Sequence, residues 1–270
     1  MKRPFISLSS DFGVGTQGIG IMRAAALQIC PDCQIIDLRH GIPGFDVTEG
    51  AWTMEAVQFL PVGAHVCVVD PGVGTNRRGI IIKTKRGDYL IGPDNGVLVP
   101  AAERILGGIE KAVEIKNEKY MRKPVSPVFH GRDVFAPAAA WLSKGVRIEE
   151  FGPAINPRNL AKAPYDEAEV SEGLVSGKAI HVNHFGSVCV NVLQKDFAKS
   201  GIRYRDAIII EIRKKKIKTK LMKTFGEVAK GGVVAFPDDY GRIEIAINQG
   251  RFTEKFGVKL GDKITIRKCL

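Results

Sequence analysis

Hydrophobic and polar positions follow two different patterns along the chain. In the first half, short apolar runs typical of buried strands alternate with segments whose apolar positions have a helical period. The predicted strands are 5–9, 34–38, 65–69, 79–83 and 89–91, and the predicted helices are 20–29, 48–59 and 136–142. Strands that alternate with helices indicate an α/β fold with a mostly parallel sheet, in which ligands bind beyond the carboxyl ends of the strands.

The pattern changes in the second half, where strand-like segments follow one another without clear helices between them. These segments are 175–192, 207–220, 232–236, 242–247 and 263–267. They predict a small antiparallel barrel or sandwich. Three prolines and no hydrophobic period in 152–164 indicate a linker. We therefore predict an N-terminal α/β domain over 1–152, a linker over 153–170 and a C-terminal β-barrel domain over 171–270.

Composition adds a prediction about location. The 270 residues are 44% hydrophobic, which is enough for a sizeable core. No apolar run approaches the roughly 20 residues of a membrane helix, and the N-terminus lacks the features of a signal peptide. We expect a cytoplasmic protein with no membrane partner.

The five cysteines are an odd number in a chain without a secretion signal, so reduced thiols are expected. Cys30 and Cys33 have the spacing of half a zinc site or of a redox pair, but no second cysteine or histidine pair completes a zinc site. We expect a structural role for this pair and no metal.

The formal net charge of +11 raises the possibility of a nucleic-acid partner. Much of the excess lies in 213–220, where lysines begin to alternate with other residues as on the solvent face of a strand. An edge strand protected by lysines and a nucleic-acid patch both fit this run. No aromatic residues are interleaved to stack on bases, which favours the edge strand, so no nucleic-acid partner is predicted.

Asp11 directly follows the first predicted strand and precedes a glycine-rich stretch that leads into the first helix. A carboxylate at this position can accept hydrogen bonds from both hydroxyls of a ribose. It can equally be the N-cap of the helix. The glycine spacing does not match the Gly-x-Gly-x-x-Gly of dinucleotide-binding folds, which argues against a dinucleotide cofactor.

Three further residues are candidates for chemistry. Asp70 ends the most apolar strand, and the glycine-containing loop after it can bring Arg77 back to the carboxylate. Asp-Pro-Gly is also an ordinary turn sequence. His130 is followed by Gly131, which allows close approach of another group, and by an arginine–aspartate pair at 132–133 that can fix a loop at a helix start. For Asp70 and His130, a purely structural role is the alternative.

These residues lie in short strings that together resemble the S-adenosylmethionine (SAM) hydroxide adenosyltransferases, the hydrolytic relatives of the fluorinases and chlorinases. The strings are SSDFG (9–13), DLRHGIP (37–43), FDVTEG (45–50), VDPGVGT (69–75), GPDNG (92–96), FHGRDVFAP (129–137), HFG (184–186) and INQG (247–250). They extend over nearly the whole chain, and their joint order and spacing carry the resemblance.

The resemblance implies a larger N-terminal α/β domain, a smaller C-terminal β-barrel domain and a homotrimer. Each site would lie between the N-terminal domain of one subunit and the C-terminal domain of its neighbour. The resemblance also implies that Asp70, Arg77 and His130 activate a water. Asp11 would bind the ribose, with Phe45 near the sugar. The implied contacts in the C-terminal domain are Asn183, Phe185, Ser187, Asn248 and Gln249, with Phe185 and Ser187 facing the adenine.

The implied reaction is hydrolysis of S-adenosyl-L-methionine to adenosine and L-methionine by attack of water on the ribose 5′ carbon. SAM is the substrate here, and no cofactor is predicted. The sulfonium is already a good leaving group, so the protein must orient and polarise a poor nucleophile. Gly131 stands where the fluorinase carries a halide-contacting serine, and an aspartate stands where it carries a tyrosine. A carboxylate beside the nucleophile repels a halide, which favours water.

Two positions depart from the family pattern at the amino-acid end of the substrate. Asn183 stands where relatives often carry an aspartate for the methionine ammonium, and Gln249 where they often carry an arginine for the carboxylate. Neutral hydrogen bonds are weaker than charge-assisted ones, so this end would bind less tightly, or another 5′-substituted adenosine would be preferred. The alternatives to a hydrolase are a non-catalytic adenosine-binding module and an adenosyl transferase that uses a halide.

Overall fold

The computed structural model describes residues 4–269. The chain divides into two compact units, Met1–Pro164 and Tyr165–Leu270. The N-terminal unit mixes strands and helices, whereas the C-terminal unit is mainly antiparallel β-structure. The predicted α/β class with a second, β-rich part is therefore confirmed. Within 4–269, no helix is both long enough and apolar enough to cross a membrane.

A seven-stranded sheet forms the centre of the N-terminal unit. Its strands are β1 (Phe5–Ser10), β2 (Gln34–Arg39), β3 (Ala64–Val68), β4 (Gly79–Thr84), β5 (Tyr89–Pro93), β6 (Ile109–Glu114) and β7 (Ala154–Ile155), in the spatial order β2-β1-β3-β5-β4-β6-β7. The first four in this order run parallel, whereas β4, β6 and β7 pair antiparallel. The parallel strands are the ones whose carboxyl ends lead into Asp11 and Asp70.

Helices cover both faces of this sheet. They are α1 (Gln17–Ile29), α2 (Val47–Glu55) and α3 (Ala136–Ser143), with 3-10 helices at Ala56–Phe59, Glu118–Tyr120, Ile148–Phe151 and Pro157–Asn159, and π-helical turns at Ala101–Ile105 and Gly131–Phe135. Val66 and Val68 pack in the core with α1 and α3, whereas Cys67 and Val69 pack in the core with α2. Because successive strand residues face opposite sides and both sides are buried, this segment is apolar throughout.

The C-terminal unit is a nearly closed barrel. Its strands are β8 (Glu169–Ser171), β9 (Leu174–Val182), β10 (Val188–Leu193), β11 (Ala207–Ile212), β12 (Lys215–Lys220), β13 (Val233–Pro237), β14 (Arg242–Ile247) and β15 (Lys263–Lys268). The short helices are α4 (Gln194–Phe197), α5 (Phe252–Phe256) and the 3-10 segments Ala198–Ser200 and Phe225–Glu227. The strand order is β12-β11-β15-β9-β10-β14-β13, with β8 beside β9, and a bridge between Leu221 and Ala235 connects its two ends.

The basic run forms the β12 end of this order. Lys216, Lys218 and Lys220 are exposed, and their partner strand β11 directs Ile208, Ile210 and Ile212 into the core. This placement agrees with the interpretation of the run as an edge strand protected by lysines.

The expectation of reduced thiols is wrong for one pair of cysteines. α1 ends at Ile29, and the turn that follows brings the Cα atoms of Cys30 and Cys33 to 5.5 Å, where the two sulfurs form a disulfide. The amide of Cys33 donates to the carbonyl of Cys30 at 3.2 Å within this turn. The disulfide covalently links the two ends of the turn that follows α1, which is a structural role. Among residues 4–269, Cys67, Cys189 and Cys269 form no disulfide.

Much of the proline-containing stretch that suggests a linker is attached to the N-terminal sheet. β7 pairs with β6, and the amide of Ala161 donates to Asp94 at 2.9 Å. Arg78 donates to the same carboxylate and to the carbonyl of Asn159 at 2.6 Å. These polar contacts hold the segment against the sheet, although its sequence has no hydrophobic period.

A buried polar network connects β1, β3 and the turn before β5. The Ser7 hydroxyl lies 2.8 Å from His65 Nδ1, and His65 Nε2 lies 3.1 Å from Asp88. Arg86 also donates to Asp88 at 2.6 and 2.9 Å. Burial lowers the pKa of His65. Burial opposes ionisation of Asp88, but the hydrogen bonds from His65 and Arg86 hold its pKa well below the usual range. The network has the residue types of a catalytic triad, but complete burial gives it a structural role.

We expect Asp88→Ala to lower the free energy of unfolding by about 3–5 kcal/mol, because it leaves a buried histidine and an arginine without their shared acceptor. Urea denaturation measures this change. The control Glu118→Ala removes a carboxylate from an exposed pair with Lys123 and should leave the unfolding midpoint unchanged. Equal midpoints for the two variants would contradict the structural role of Asp88.

Candidate active site

The carboxyl ends of neighbouring parallel strands bring two carboxylates to one edge of the sheet. Asp11 follows β1 and Asp70 follows β3 closely, and the Asp11 amide donates to the carbonyl of Val68 at 3.3 Å. Both residues therefore lie at the edge where open α/β sheets bind ligands.

Asp70, Arg77 and His130 converge at this edge. Arg77 Nε donates to Asp70 Oδ1 at 3.0 Å, and Arg77 Nη2 donates to Asp70 Oδ2, so the ion pair is bidentate. Arg77 Nη2 also lies 3.0 Å from His130 Nδ1. One guanidinium thus joins a carboxylate and an imidazole that are separated by 60 positions in the sequence.

Glycines in the loop make this convergence possible. Gly74 has a positive φ of 78°, and a Cβ there would lie 2.6 Å from the carbonyl oxygen of Pro127. The loop after Asp70 therefore packs directly on the segment that leads to His130, which a larger residue would prevent. The Arg77 guanidinium also lies 5.4 Å from the centroid of the Phe135 ring, an arrangement that favours its charge.

A buried carboxylate anchors the segment that carries His130. Asp133 accepts hydrogen bonds from Arg132 at 2.6 and 2.7 Å and from the amide of Ser126 at 2.8 Å. Burial opposes its ionisation, but these hydrogen bonds hold its pKa below the usual value. His130 directly precedes the π-helical turn Gly131–Phe135, and such turns are frequent at functional sites.

The contact between Arg77 and His130 determines which ring nitrogen of His130 carries the proton. A guanidinium has only donors, so His130 Nδ1 must accept from Arg77, and the neutral ring carries its proton on Nε2. Burial lowers the pKa of His130, and the charge of Arg77 lowers it further. Burial also raises the pKa of Asp70, an effect that Arg77 partly offsets. The arrangement is a neutral imidazole beside a buried and basic carboxylate.

Asp11 and Phe45 also meet at this edge. The Phe45 amide donates to Asp11 Oδ2 at 2.8 Å, and Phe45 adopts a positive φ of 64° with 73% of its surface exposed. α1 begins at Gln17 and has Thr16 at its N-cap position, so Asp11 is not the helix cap. The carboxylate and the exposed ring are together available to a ligand.

The candidate residues of the C-terminal unit lie in two adjacent turns. Asn183 Oδ1 accepts from the amides of Phe185 and Ser187 at 3.0 and 3.1 Å, which shapes the first turn and leaves the Phe185 ring 72% exposed. Asn248 lies in the second turn and donates through Nδ2 to the carbonyl of Val228 at 2.7 Å. Gln249 follows it with a positive φ of 55° and is exposed.

Arg251 and Thr253 join the two turns. Arg251 Nη1 donates to the carbonyl of His184 at 2.7 Å, and the amide of Thr253 donates to the carbonyl of Gly186 at 3.0 Å. The five residues of the C-terminal unit that the resemblance singles out are thus brought to one end of the barrel.

Sequence reasoning missed one charged residue at this end. Asn183 Nδ2 donates to Glu244 Oε1 at 3.1 Å. Glu244 stands in the run RIEIAI of β14, between Ile243 and Ile245. Glu244 is the one charge among the otherwise apolar residues 243–247, which is the signal that could have identified it.

One cavity does not belong to the site, and the described residues contain no metal-ligand cluster. A cavity of about 700 Å³ opens at the amino ends of the strands, lined among others by Phe5, Ala64 and Tyr89, at the opposite edge of the sheet from Asp70. Within 4–269, no three histidine, cysteine, aspartate or glutamate side chains are placed to hold a metal ion.

Comparison with known proteins identifies relatives over nearly the full length. Family models described as the SAM hydroxide adenosyltransferase N-terminal and C-terminal domains match residues 6–152 and 177–265. A protein of Salinispora tropica named (R)-S-adenosyl-L-methionine hydrolase is 35% identical over 97% of both chains. A protein of Methanocaldococcus jannaschii with the same name is 32% identical over 97% of this chain and 95% of its own.

More distant relatives and solved structures agree in fold. A fluorinase of an Actinoplanes species is 26% identical over 98% of both chains. The crystal structure of an uncharacterised conserved protein from Thermotoga maritima superposes with a TM-score of 0.90, at 32% identity, over 97% of this chain and 99% of its own.

We expect the pKa of His130 to move in opposite directions in two variants. Arg77→Met removes a positive neighbour and should raise this pKa, whereas Asp70→Asn removes a negative neighbour and should lower it. Titration of the ring nitrogens by NMR measures both shifts and also reports the tautomer of the neutral ring. Shifts in the same direction, or a neutral ring with its proton on Nδ1, would contradict the described contacts.

Proposed function

The chain belongs to the family of SAM hydroxide adenosyltransferases, and we propose that it hydrolyses S-adenosyl-L-methionine to adenosine and L-methionine. The contact of Arg77 with both Asp70 and His130, at the edge that also presents Asp11, carries this proposal. Relatives named (R)-S-adenosyl-L-methionine hydrolase, at 32–35% identity over nearly the whole chain, support the same reaction.

The bond changes follow from the substrate. The oxygen of a water attacks the ribose 5′ carbon while the bond from that carbon to sulfur breaks. The bonding electron pair passes to sulfur, so the sulfonium leaves as the neutral thioether of methionine. No general acid is needed for such a leaving group. Catalysis requires that a water be held in line with the breaking bond and that a base accept one of its protons.

The three residues divide this task. Asp70 accepts the proton, because burial raises the pKa of its carboxyl, and the hydrogen bonds from Arg77 and from the Gly72 amide leave part of its acceptor capacity unused. Arg77 holds Asp70 in place and stabilises the negative charge that develops on the attacking oxygen. His130 donates through Nε2 and so orients the water, since its Nδ1 is occupied by Arg77.

The remaining residues position the substrate. Asp11 accepts the ribose hydroxyls, with the exposed ring of Phe45 beside the sugar. In the C-terminal unit, Phe185 and Ser187 contact the adenine. Asn183, Asn248 and Gln249 lie toward the amino-acid end.

Water rather than a halide is the nucleophile in this proposal. An anion beside the Asp70 carboxylate would be repelled, whereas a water can donate to it. Gly131 adds a steric reason, since a Cβ there would lie 3.0 Å from Met22 Sδ and 3.4 Å from the ring of Phe12. A halide-contacting side chain at this position would need its neighbours to shift.

We also propose that the protein acts as a cytoplasmic homotrimer without a cofactor, with each site formed by two subunits. The resemblance supports the trimer. The division of the candidate residues supports a shared site: Asp11, Phe45 and the three catalytic candidates lie in Met1–Pro164, and the other five lie in Tyr165–Leu270.

We expect the protein to form adenosine from SAM, and in H₂¹⁸O the label should appear in the 5′ hydroxyl. Asp70→Asn should lower kcat by about 10²–10⁴-fold, because it removes the proton acceptor. Chromatography with mass spectrometry measures both, with and without chloride. The matched control Asp32→Asn changes an exposed aspartate and should keep wild-type activity. Tight adenosine binding without turnover would instead indicate a binding module, and 5′-chloroadenosine a halide-using transferase.

We expect light scattering to give a mass of about 88 kDa, three times the chain mass of 29.4 kDa. Two variants that are inactive alone, Asp70→Asn and Phe185→Ala, should regain about a quarter of wild-type activity when co-expressed at equal levels. In mixed trimers, about a quarter of the sites combine the intact N-terminal unit of a Phe185→Ala subunit with the intact C-terminal unit of an Asp70→Asn subunit. If each site were built from one subunit, the mixture would stay inactive.

A further inference from the structure

The barrel carries one carboxylate whose charge the proposed mechanism does not use. Glu244 lies in β14 opposite Cys189 of β10 and Phe236 of β13. Ile243 and Ile245, its neighbours in sequence, point into the barrel core. Because side chains alternate along a strand, Glu244 points away from that core.

Within 4–269, Glu244 accepts hydrogen bonds and has no lysine or arginine partner, although the neighbouring His181 acts to lower its pKa. Asn183 Nδ2 donates to it at 3.1 Å, and the Ser187 hydroxyl donates to it as well. Its titratable neighbours are His181 and Asp238. Within 4–269, it forms no ion pair with a lysine or arginine. Burial raises its pKa, and the charge of Asp238 adds to this effect.

An ionised carboxylate in such surroundings is costly unless a cation reaches it. Two neutral donors satisfy only two of its four lone-pair positions, so the carboxylate can accept further hydrogen bonds. The site is thus a half-buried negative charge with remaining acceptor capacity.

The position of Glu244 relates it to the substrate. Both of its donors, Asn183 and Ser187, belong to the turn that the proposed function assigns to substrate binding. The turn sequences 183–187 and 248–250 contain no acidic residue of their own. Asn183 is itself occupied, because Oδ1 accepts two backbone amides and Nδ2 donates to Glu244. The carboxylate that is hydrogen-bonded to the first turn therefore comes from the neighbouring strand β14.

We propose that Glu244 is the anionic acceptor for the α-ammonium group of the methionine moiety, an inference that rests on the proposed function. Asn183 holds the carboxylate in position, and Glu244 provides the charge that an asparagine lacks. In the family pattern the negative charge for the amino group lies in the turn, at the position of Asn183, whereas in this chain it lies on β14. With Glu244 in this role, weaker binding of the amino-acid end is not expected.

A binding experiment tests this without turnover. In the Asp70→Asn background, calorimetry compares SAM and its neutral thioether S-adenosylhomocysteine, which both carry the ammonium, with 5′-methylthioadenosine, a neutral thioether that lacks the whole amino-acid end. Glu244→Gln keeps the shape of the side chain and removes its charge. It should weaken binding of SAM and of S-adenosylhomocysteine by about 10–100-fold, the loss of one charged hydrogen bond, and leave 5′-methylthioadenosine binding within about twofold.

Two further variants separate recognition from folding. Glu211→Gln changes a carboxylate on β11 that pairs with Lys216, and it should bind all three ligands like the parent. The double variant Asn183→Asp with Glu244→Gln exchanges the two groups and keeps their hydrogen bond, so it should recover most of the lost SAM affinity. A merely structural role of Glu244 would give no such selectivity for the ammonium-bearing ligand.

The outcomes are distinct for the two proposals. Any of three results would overturn the role of Glu244. These are equal SAM affinity with and without the Glu244 charge, equal losses of affinity for SAM and 5′-methylthioadenosine, or no SAM binding. In the otherwise wild-type enzyme, Glu244→Gln should raise KM for SAM with little change in kcat. A wild-type enzyme that produces no adenosine would overturn the hydrolase proposal, whatever the binding data show.

Discussion

The buried ion pair between Asp70 and Arg77 is the interaction on which the candidate site depends. Two charges removed from water are stable only with good geometry and further hydrogen bonds, and the bidentate contact supplies that geometry. The contact also fixes the remaining electrostatics, because the same guanidinium occupies Nδ1 of His130 and lowers the pKa of its ring. The neutral imidazole follows from this arginine, whereas the raised pKa of Asp70 comes from burial, which Arg77 only partly offsets.

Position in the fold separates this group from a second one with similar residue types. Ser7, His65 and Asp88 also form a hydrogen-bonded chain, and Arg86 pairs with its carboxylate. That network is buried between strands and ties them together, whereas Asp70 and His130 lie at the carboxyl edge of the sheet beside Asp11. Position at the carboxyl edge, where open α/β sheets bind ligands, therefore distinguishes the proposed catalytic group from the structural one.

The two units contribute different kinds of interaction. The N-terminal unit presents charged groups, whose pKa values burial and neighbouring charges shift. The C-terminal unit presents an exposed aromatic ring and amide side chains on two turns that Arg251 joins. Glu244 adds a negative charge behind the first turn. In the proposed function, chemistry at the ribose and recognition of the rest of the substrate are thus assigned to separate parts of the chain.

The sequence by itself determined the classes of both units, since strand and helix periods are local, and the ordered strings determined the family. It also identified Asp70, Arg77 and His130 as candidates, although Asp70 and His130, each taken alone, fitted a structural role better. Only the tertiary structure decided that they meet, that Asp11 is no helix cap, that Cys30 and Cys33 are joined and that 153–164 is attached by polar contacts. Glu244 escaped notice because its partner Asn183 is 61 positions away in the sequence. Hydrogen bonds between distant segments leave no period in a sequence, because they depend on how strands are placed side by side.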